Sequence, residues 1–191
     1  LALFRPVAMS SSIRHFKPRA NMSVSLACAS GSMSTTNQER PHMEPLENRS
    51  DFRSKLLPAT PSEVFAAMSD PARIARWWGP AGFTNTIHEF EFHAGGKWLL
   101  TMHGPDGKDY PNESRFTRIE IDRVFEIEHF SGHHFVLAIE LQPTPGGTEV
   151  NWVQTFDTVE HYQRLAGFVA SANEQNLERL AAEVERGKKK P

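Results

Sequence analysis

The chain has 191 residues, with 23 acidic side chains, 21 basic side chains and one cysteine. This length suits one domain with a tail, and a net charge of −2 gives no general basis for nucleic-acid binding. No apolar run approaches the roughly 20 residues of a membrane-spanning helix, which excludes a span. The lone Cys28 excludes an internal disulfide. A chain this poor in cysteine fits a reducing compartment, so we expect a cytoplasmic protein.

The N-terminal stretch differs from the rest of the chain. Residues 1–38 carry four basic and no acidic side chains, whereas residues 39–191 carry 17 basic and 23 acidic ones. Because the stretch is rich in Ser and Ala and holds no sustained period of 2 or 3.6, we predict a disordered extension over residues 1–48. Its composition also resembles a transit peptide. The first residue, Leu1, favours an extension upstream of a true start at one of the methionines 9, 22, 33 and 43.

The domain, residues 49–187, opens with one strand and two short helices. A strand is predicted over Phe52–Leu57, up to Pro58. The segment Thr60–Glu63 has the pattern of a capping box with proline at the first helical position. Asp70 caps a second short helix through Arg76 by the same logic. The sequence Gly79-Pro80-Ala81-Gly82 ends that helix.

A period of 2 follows from Phe83 to Asp157, broken by regular turn signals, and six strands fit between the breaks. Short connections predict antiparallel neighbours. A second capping pattern, Asp157–Glu160, then opens a long helix with one inward stripe. The stripe comprises Leu165, Phe168, Val169, Ala172, Asn176 and Leu180. Gly187 is predicted to stop this helix before a basic end, residues 188–191. The predicted fold is α+β, a curved antiparallel sheet wrapped around the C-terminal helix.

The predicted inner face of the sheet is rich in aromatic residues and is interrupted by polar ones. The interruptions are His88, Asn112, Ser114, His129 and Gln154. Burying such a group without a partner costs about 1–3 kcal/mol, so each needs a protein partner, a water or a ligand. Each of these residues alone is typical of a core side chain whose hydrogen bonds are made within the protein, or of a strand end in solvent. Together they favour a hollow interior, the usual form of a small-molecule site.

The chain resembles the SRPBCC (START/polyketide-cyclase-like) superfamily. The closest likeness is to the branch named after the C-terminal domain of the activator of heat-shock protein 90 ATPase. The motifs that carry the resemblance are Ser69-Asp70-Pro71, Arg76-Trp77-Trp78-Gly79-Pro80-Ala81-Gly82-Phe83, Gly95-Gly96-Lys97-Trp98, Met102–Gly107, Tyr110–Glu113 and Leu177–Leu180. The resemblance implies a helix-grip fold, in which seven strands grip the long helix around a hydrophobic cavity. Members of the superfamily bind lipids, sterols or aromatic polyketides, and some are enzymes.

We therefore expect the chain to bind a small hydrophobic or aromatic molecule, without a cofactor. The predicted ligand-binding residues are Trp77, His88, Phe90, Trp98, Met102, Asn112, Phe116, Phe125, His129, Phe135, Trp152, Gln154, Phe168 and Ala172. No metal site is predicted, because the run His129–His134 is more typical of a solvated loop than of a zinc site.

Two alternatives remain open. No catalytic residue is assigned, but His88 or His129 could move a proton in a cyclase-type or dehydratase-type reaction. The third hypothesis is a chaperone ATPase activator or a stress-response interaction protein. We expect it less, because the 48-residue extension is too short and too polar to replace the client-holding domain of the eukaryotic co-chaperone. A homodimer is the default expectation for a small protein of this kind.

Overall fold

The computed structural model describes residues 45–188, so the predictions about Cys28 and most of the N-terminal extension lie outside the described residues. A 3-10 turn at Leu46–Arg49 opens the described part, so regular structure begins a few residues before the predicted domain boundary at residue 49. The strands and helices follow in the predicted order. Their bounds are β1 Ser50–Leu57, α1 Pro61–Ser69, α2 Pro71–Trp77, β2 Thr84–Phe90, β3 Lys97–His103, β4 Asp109–Glu120, β5 Val124–His129, β6 Phe135–Thr144, β7 Gly147–Phe156 and α3 Val159–Lys188.

The strands form one antiparallel sheet in the order β1-β7-β6-β5-β4-β3-β2. Because β1 pairs with the last strand rather than with β2, the two short helices cross from one edge of the sheet to the other. The long helix α3 packs against β1 and β7 and against both short helices. The predicted helix-grip architecture is confirmed.

The helix starts follow local chemistry. Thr60 and Glu63 form the predicted capping box, and the Asp70 carboxylate accepts from the amides of Ala72 and Arg73. The capping box predicted for Asp157–Glu160 is wrong. The hydroxyl of Thr158 caps α3 instead, by accepting from the His161 amide at 3.1 Å.

The predicted helix stop at Gly187 is also wrong, because α3 continues to Lys188. A Cβ at this glycine would lie 2.6 Å from Nη2 of Arg73. The glycine therefore serves the close approach of an arginine from α2, and the helix needs no left-handed residue there. Residues 189–191 of the predicted basic end lie outside the described residues.

One predicted strand face is corrected by a β-bulge. Ile87 pairs with Leu100 and Glu89 pairs with Leu99, which leaves His88 as the extra residue of β2. Before the bulge Asn85 and Ile87 are partly buried, whereas Thr84, Thr86 and His88 are exposed. The prediction that His88 shares the inner face with Phe90 is therefore wrong, because the inserted residue changes the alternation between them.

Aromatic rings fill one end of the space beneath the sheet. Trp98, Phe116 and Phe125 are fully buried there. The rings of Trp98 and Phe116 stack with centroids 5.8 Å apart, and Phe125 meets both edge-on. Phe90 and Phe92 pack against the same group. This end of the interior is solid, so any cavity must lie at the other end.

Candidate functional site

A cavity of about 610 Å³ lies between the sheet and α3 at the end away from the ring cluster. The sheet, the helix and the loop 78–83 after α2 each contribute a wall. The lining residues on the strands and helix include Leu100, Met102, Asn112, Ser114, His129, Phe135, Leu137, Trp152, Gln154, Phe168, Val169, Ala172, Asn173 and Asn176. The exposed side chains of Tyr110, His133 and Phe168 line the mouth.

Loop 78–83 brings Trp78 into the cavity wall. Trp77 is the last residue of α2, and its indole N–H donates to the Ala67 carbonyl at 2.8 Å inside the core. Trp78 already has an extended backbone (φ −64°, ψ 133°), so its ring points elsewhere. That ring lies 4.7 Å from Trp98 and 5.9 Å from Trp152, measured between centroids. The cavity is therefore lined by Trp78 and not by the predicted Trp77.

Polar side chains of α3 hold this loop in place. The Gly79 amide donates to Oδ1 of Asn176 at 2.7 Å, and the Ala81 amide donates to Oε1 of Gln175 at 2.8 Å. Gly79 has a φ of +93°, and a Cβ there would collide with Cε of Met102 across the cavity wall. The backbone conformation therefore requires glycine at this position, and a Cβ would also force the Met102 side chain to move.

Arg179 fixes the same loop through backbone carbonyls. Its Nη1 donates to Gly79 and Pro80, both at 2.7 Å, and its Nη2 donates to Arg76 and Phe83, both at 2.9 Å. Burial lowers the pKa of this guanidinium. The carbonyl dipoles therefore stabilise the positive charge of Arg179. The same hydrogen bonds hold the loop against α3.

His129 ends β5 in the cavity wall and is nine-tenths buried. Its ring stacks on Phe135 with centroids 4.4 Å apart. Nδ1 lies 2.9 Å from the His133 carbonyl, and Nε2 lies 2.8 Å from Oδ1 of Asn112. Burial lowers the pKa of His129, and nearby His133 and His134 act in the same direction, against the opposing hydrogen bond to the His133 carbonyl.

Gln154 belongs to a buried polar chain. Nδ2 of Asn173 donates to Oε1 of Gln154 at 2.9 Å and to Asp51 at 3.1 Å, and Arg53 pairs with the same aspartate at 2.8 Å. Within the described residues, neither Nε2 of Gln154 nor Oγ of Ser114 has a hydrogen-bond partner. Both residues line the cavity. They offer hydrogen-bond donors to whatever occupies it.

The structure brings eight of the predicted ligand-binding residues to this cavity. They are Met102, Asn112, His129, Phe135, Trp152, Gln154, Phe168 and Ala172. Five others, Trp77, Phe90, Trp98, Phe116 and Phe125, belong to the core around the ring cluster. His88 lies on the outer face, where its Nε2 meets the Thr101 hydroxyl at 2.8 Å, so this candidate catalytic histidine does not reach the cavity.

The segment after β5 is held together by histidines. The His134 ring bridges Asp157 at 2.8 Å and Glu128 at 3.1 Å, and these two carboxylates raise the pKa of His134. His133 faces His161 at 3.1 Å. Across residues 45–188, no group of three or more His, Cys, Asp or Glu side chains is arranged to hold a metal ion. In the same part of the chain, every helix is too short or too polar to cross a membrane.

Comparison with known proteins identifies one family and several solved structures with a similar fold. The family model described as Activator of Hsp90 ATPase homolog 1-like protein matches residues 58–185. A solution structure from Arthrobacter aurescens is 24% identical, with 75% of this chain and 90% of that chain covered and a TM-score of 0.68. A Rhodobacter sphaeroides crystal structure is 23% identical, with 75% and 96% covered and a TM-score of 0.67.

A third solved structure carries the family in its description. It is an AHSA1-like protein from Aeromonas hydrophila, 22% identical, with 73% of this chain and 94% of that chain covered and a TM-score of 0.59. At these identities the solved structures show a shared fold. A search of the curated proteins gives no match.

Proposed function

Since the chain belongs to the Activator of Hsp90 ATPase homolog 1-like family, we propose that it binds a small apolar or aromatic molecule between the sheet and α3. The observation that carries the proposal is the cavity of about 610 Å³. Protein interiors are close-packed, with few voids larger than a water molecule. This space, which opens to solvent at its mouth, is far larger than such voids, and its volume falls within the roughly 300–1,000 Å³ of ordinary ligand sites.

The lining supports an apolar ligand body. Trp78, Trp152 and Phe135 present aromatic surface, and neither lysine nor arginine is among the described residues that line the cavity. The Asp109 carboxylate, which is exposed at the mouth, is bonded to His103. The donors of Ser114 and Gln154 add polar contacts within an otherwise apolar wall. An apolar molecule that carries at least one oxygen acceptor fits this arrangement.

The test is a titration with N-phenyl-1-naphthylamine, a neutral aromatic probe that fluoresces in apolar surroundings. We expect saturable binding with one site per chain, accompanied by quenching of tryptophan emission. Ala172→Phe should place a ring in the void and weaken probe binding about tenfold or more, equivalent to about 1.4 kcal/mol. Ala182→Phe, at an exposed position of α3 outside the cavity lining, is the matched control and should bind like the wild type. Non-saturable binding, or equal binding by both variants, would overturn the proposal.

A second candidate is an enzyme of the cyclase or dehydratase type, favoured by the imidazole of His129 in the cavity wall. A general acid or base needs a free proton-transfer position near the substrate. Both ring nitrogens of His129 already face protein oxygens, which favours binding over catalysis. In a screen of candidate substrates, His129→Gln should abolish turnover while saturable binding of the neutral probe persists if the enzyme hypothesis is correct.

Chaperone activation, the activity in the family's name, is the third hypothesis. Its test is the ATPase rate of a cognate Hsp90 with and without the full chain. An increase that persists in Ala172→Phe would assign that activity to the exterior of the domain rather than to the cavity.

A further inference from the structure

Among the described residues that line the cavity, His129 is the only titratable side chain that is buried. A neutral imidazole has one donor and one acceptor nitrogen. Because Nδ1 faces the His133 carbonyl, it must carry a proton to make that bond. Nε2 is then an acceptor, yet it faces Oδ1 of Asn112 at 2.8 Å. Two acceptors therefore meet when the ring is neutral.

Turning the Asn112 amide would move this conflict from the buried His129 to the exposed Tyr110 carbonyl. In the present orientation its Nδ2 donates to the Tyr110 carbonyl at 2.8 Å. After a flip the amide nitrogen would face His129, but Oδ1 would then face the Tyr110 carbonyl instead. With the amide in the orientation that bonds to Tyr110, the imidazolium form of His129, which donates from both nitrogens, satisfies every polar atom in this group.

The same ring has no negative partner within the described part of the chain. The titratable side chains nearest to it are those of His133, whose ring meets His161, and His134. The carboxylates of Glu128 and Asp157 are bonded to His134, and that of Asp109 to His103.

A buried cation without a counter-ion is costly, although stacking on Phe135 favours the cationic form. Burial lowers the pKa of His129, so the ring is neutral near pH 7 in the empty cavity. The hydrogen-bond partners of His129 therefore suit the imidazolium form, but the empty protein does not stabilise the positive charge of that form.

We propose that the cavity, if it is the ligand site proposed above, selects apolar acids bound as their anions, and that His129 takes up one proton from solvent as the anion binds. The ligand brings the negative charge. The proton adds to Nε2, and the resulting N–H donates a hydrogen bond to Oδ1 of Asn112. Ser114 is the direct cross-strand partner of His129. Its hydroxyl, free of protein partners in the described chain, donates to the anion.

The experiment compares two probes with the same aromatic skeleton. 8-Anilinonaphthalene-1-sulfonate carries a sulfonate that stays ionised at all working pH values, whereas N-phenyl-1-naphthylamine is neutral. The bound anion should raise the pKa of His129. Affinity for the sulfonate should therefore increase as the pH falls through the raised pKa, by about tenfold in total for each unit of that increase in pKa. Affinity for the neutral probe should stay flat. Calorimetry in two buffers of different ionisation enthalpy should give an uptake close to one proton for the anion and none for the neutral probe.

Two variants assign the proton. His129→Gln should remove the pH dependence of sulfonate affinity, and any change in its affinity for the neutral probe should be the same at every pH. His133→Gln, at the mouth, should keep the pH dependence. Nitrogen-15 NMR of the wild-type chain is the check that needs no variant, because both His129 nitrogens should move to imidazolium shifts with the anion and not with the neutral probe.

The outcomes separate the two proposals. If the neutral probe binds but the anion causes no proton uptake and no imidazolium signal, the inference about His129 is overturned and the binding function stands. If the pH dependence survives in His129→Gln, another group takes the proton and the assignment is wrong. If neither probe binds saturably, the binding function itself fails.

Discussion

Arg179→Met should loosen the loop that carries Trp78, because this arginine links the backbone of the loop to α3. Its four hydrogen bonds of 2.9 Å or shorter all end on backbone carbonyls of residues 76–83. Methionine keeps a flexible apolar stem of similar length but cannot donate. The carbonyls would then have to find water or remain unpaired.

The expected magnitude follows from two opposing terms. A hydrogen bond from a charged group contributes about 1.5–3 kcal/mol, but such contributions do not add within one group. Burial of the guanidinium also costs energy, as its lowered pKa indicates. We expect a loss of about 2–3 kcal/mol for Arg179→Met, within the range of a broken buried network. Arg179→Lys should lose about half as much, since an ammonium cannot span four carbonyls.

The measurement is urea unfolding followed by tryptophan fluorescence, combined with hydrogen exchange of the Gly79 and Ala81 amides. Arg186→Met is the control, because this arginine of the same helix is 62% exposed and lies 3.9 Å from its carboxylate partner. It should cost less than about 0.5 kcal/mol. A loss below about 1 kcal/mol in Arg179→Met, with both loop amides as protected as in the wild type, would refute the reasoning.

Three further changes test the surroundings of the site. Gly79→Ala should cost about 1–2 kcal/mol in thermal unfolding, and more than Gly107→Ala, where φ is also positive but a Cβ meets nothing. For Glu183, burial alone would raise the pKa, but three hydrogen bonds from Arg73 and Arg76 outweigh burial and hold the pKa below its ordinary value. Its stabilisation is therefore present above that value and lost as the pH falls, and the acid-side pH dependence of stability should flatten in Glu183→Gln. The pKa of His134 is raised, so its contribution to stability has the opposite pH dependence. That contribution is complete below about pH 6.5 and is lost as the pH rises through the raised pKa. His134→Gln should thus be less stable than the wild type near pH 6 and equal to it near pH 9.

Local rules predicted the elements well because each element carries its own start signal or period. The capping box at Thr60 and the aspartate cap at Asp70 are short-range interactions, and the structure has both. The alternation in β5, β6 and β7 placed His129, Phe135 and Gln154 on the correct face. These strands contain no bulge, so a period of 2 holds along each of them.

The errors arose where a feature depends on tertiary contacts. One inserted residue at His88 reversed the face of half a strand, and nothing in its local sequence marks the bulge. The choice between Trp77 and Trp78 depends on the residue at which α2 ends. The pair Gly79-Pro80 is the local signal for a helix end at residue 77, and such an end predicts an extended Trp78.

The division of the interior into a solid end and a hollow end has an energetic consequence for binding. Rings such as Trp98 and Phe116 stabilise the solid end by packing. At the hollow end, hydrogen bonds from Asn176 and Arg179 hold the wall in place of side chains that would fill the space. A ligand that occupies the void adds the missing contacts without having to displace the wall. Binding should therefore raise unfolding stability by RT ln(1 + [L]/Kd), and this gain should shrink in Arg179→Met, because part of the binding energy would then be spent on ordering the loop.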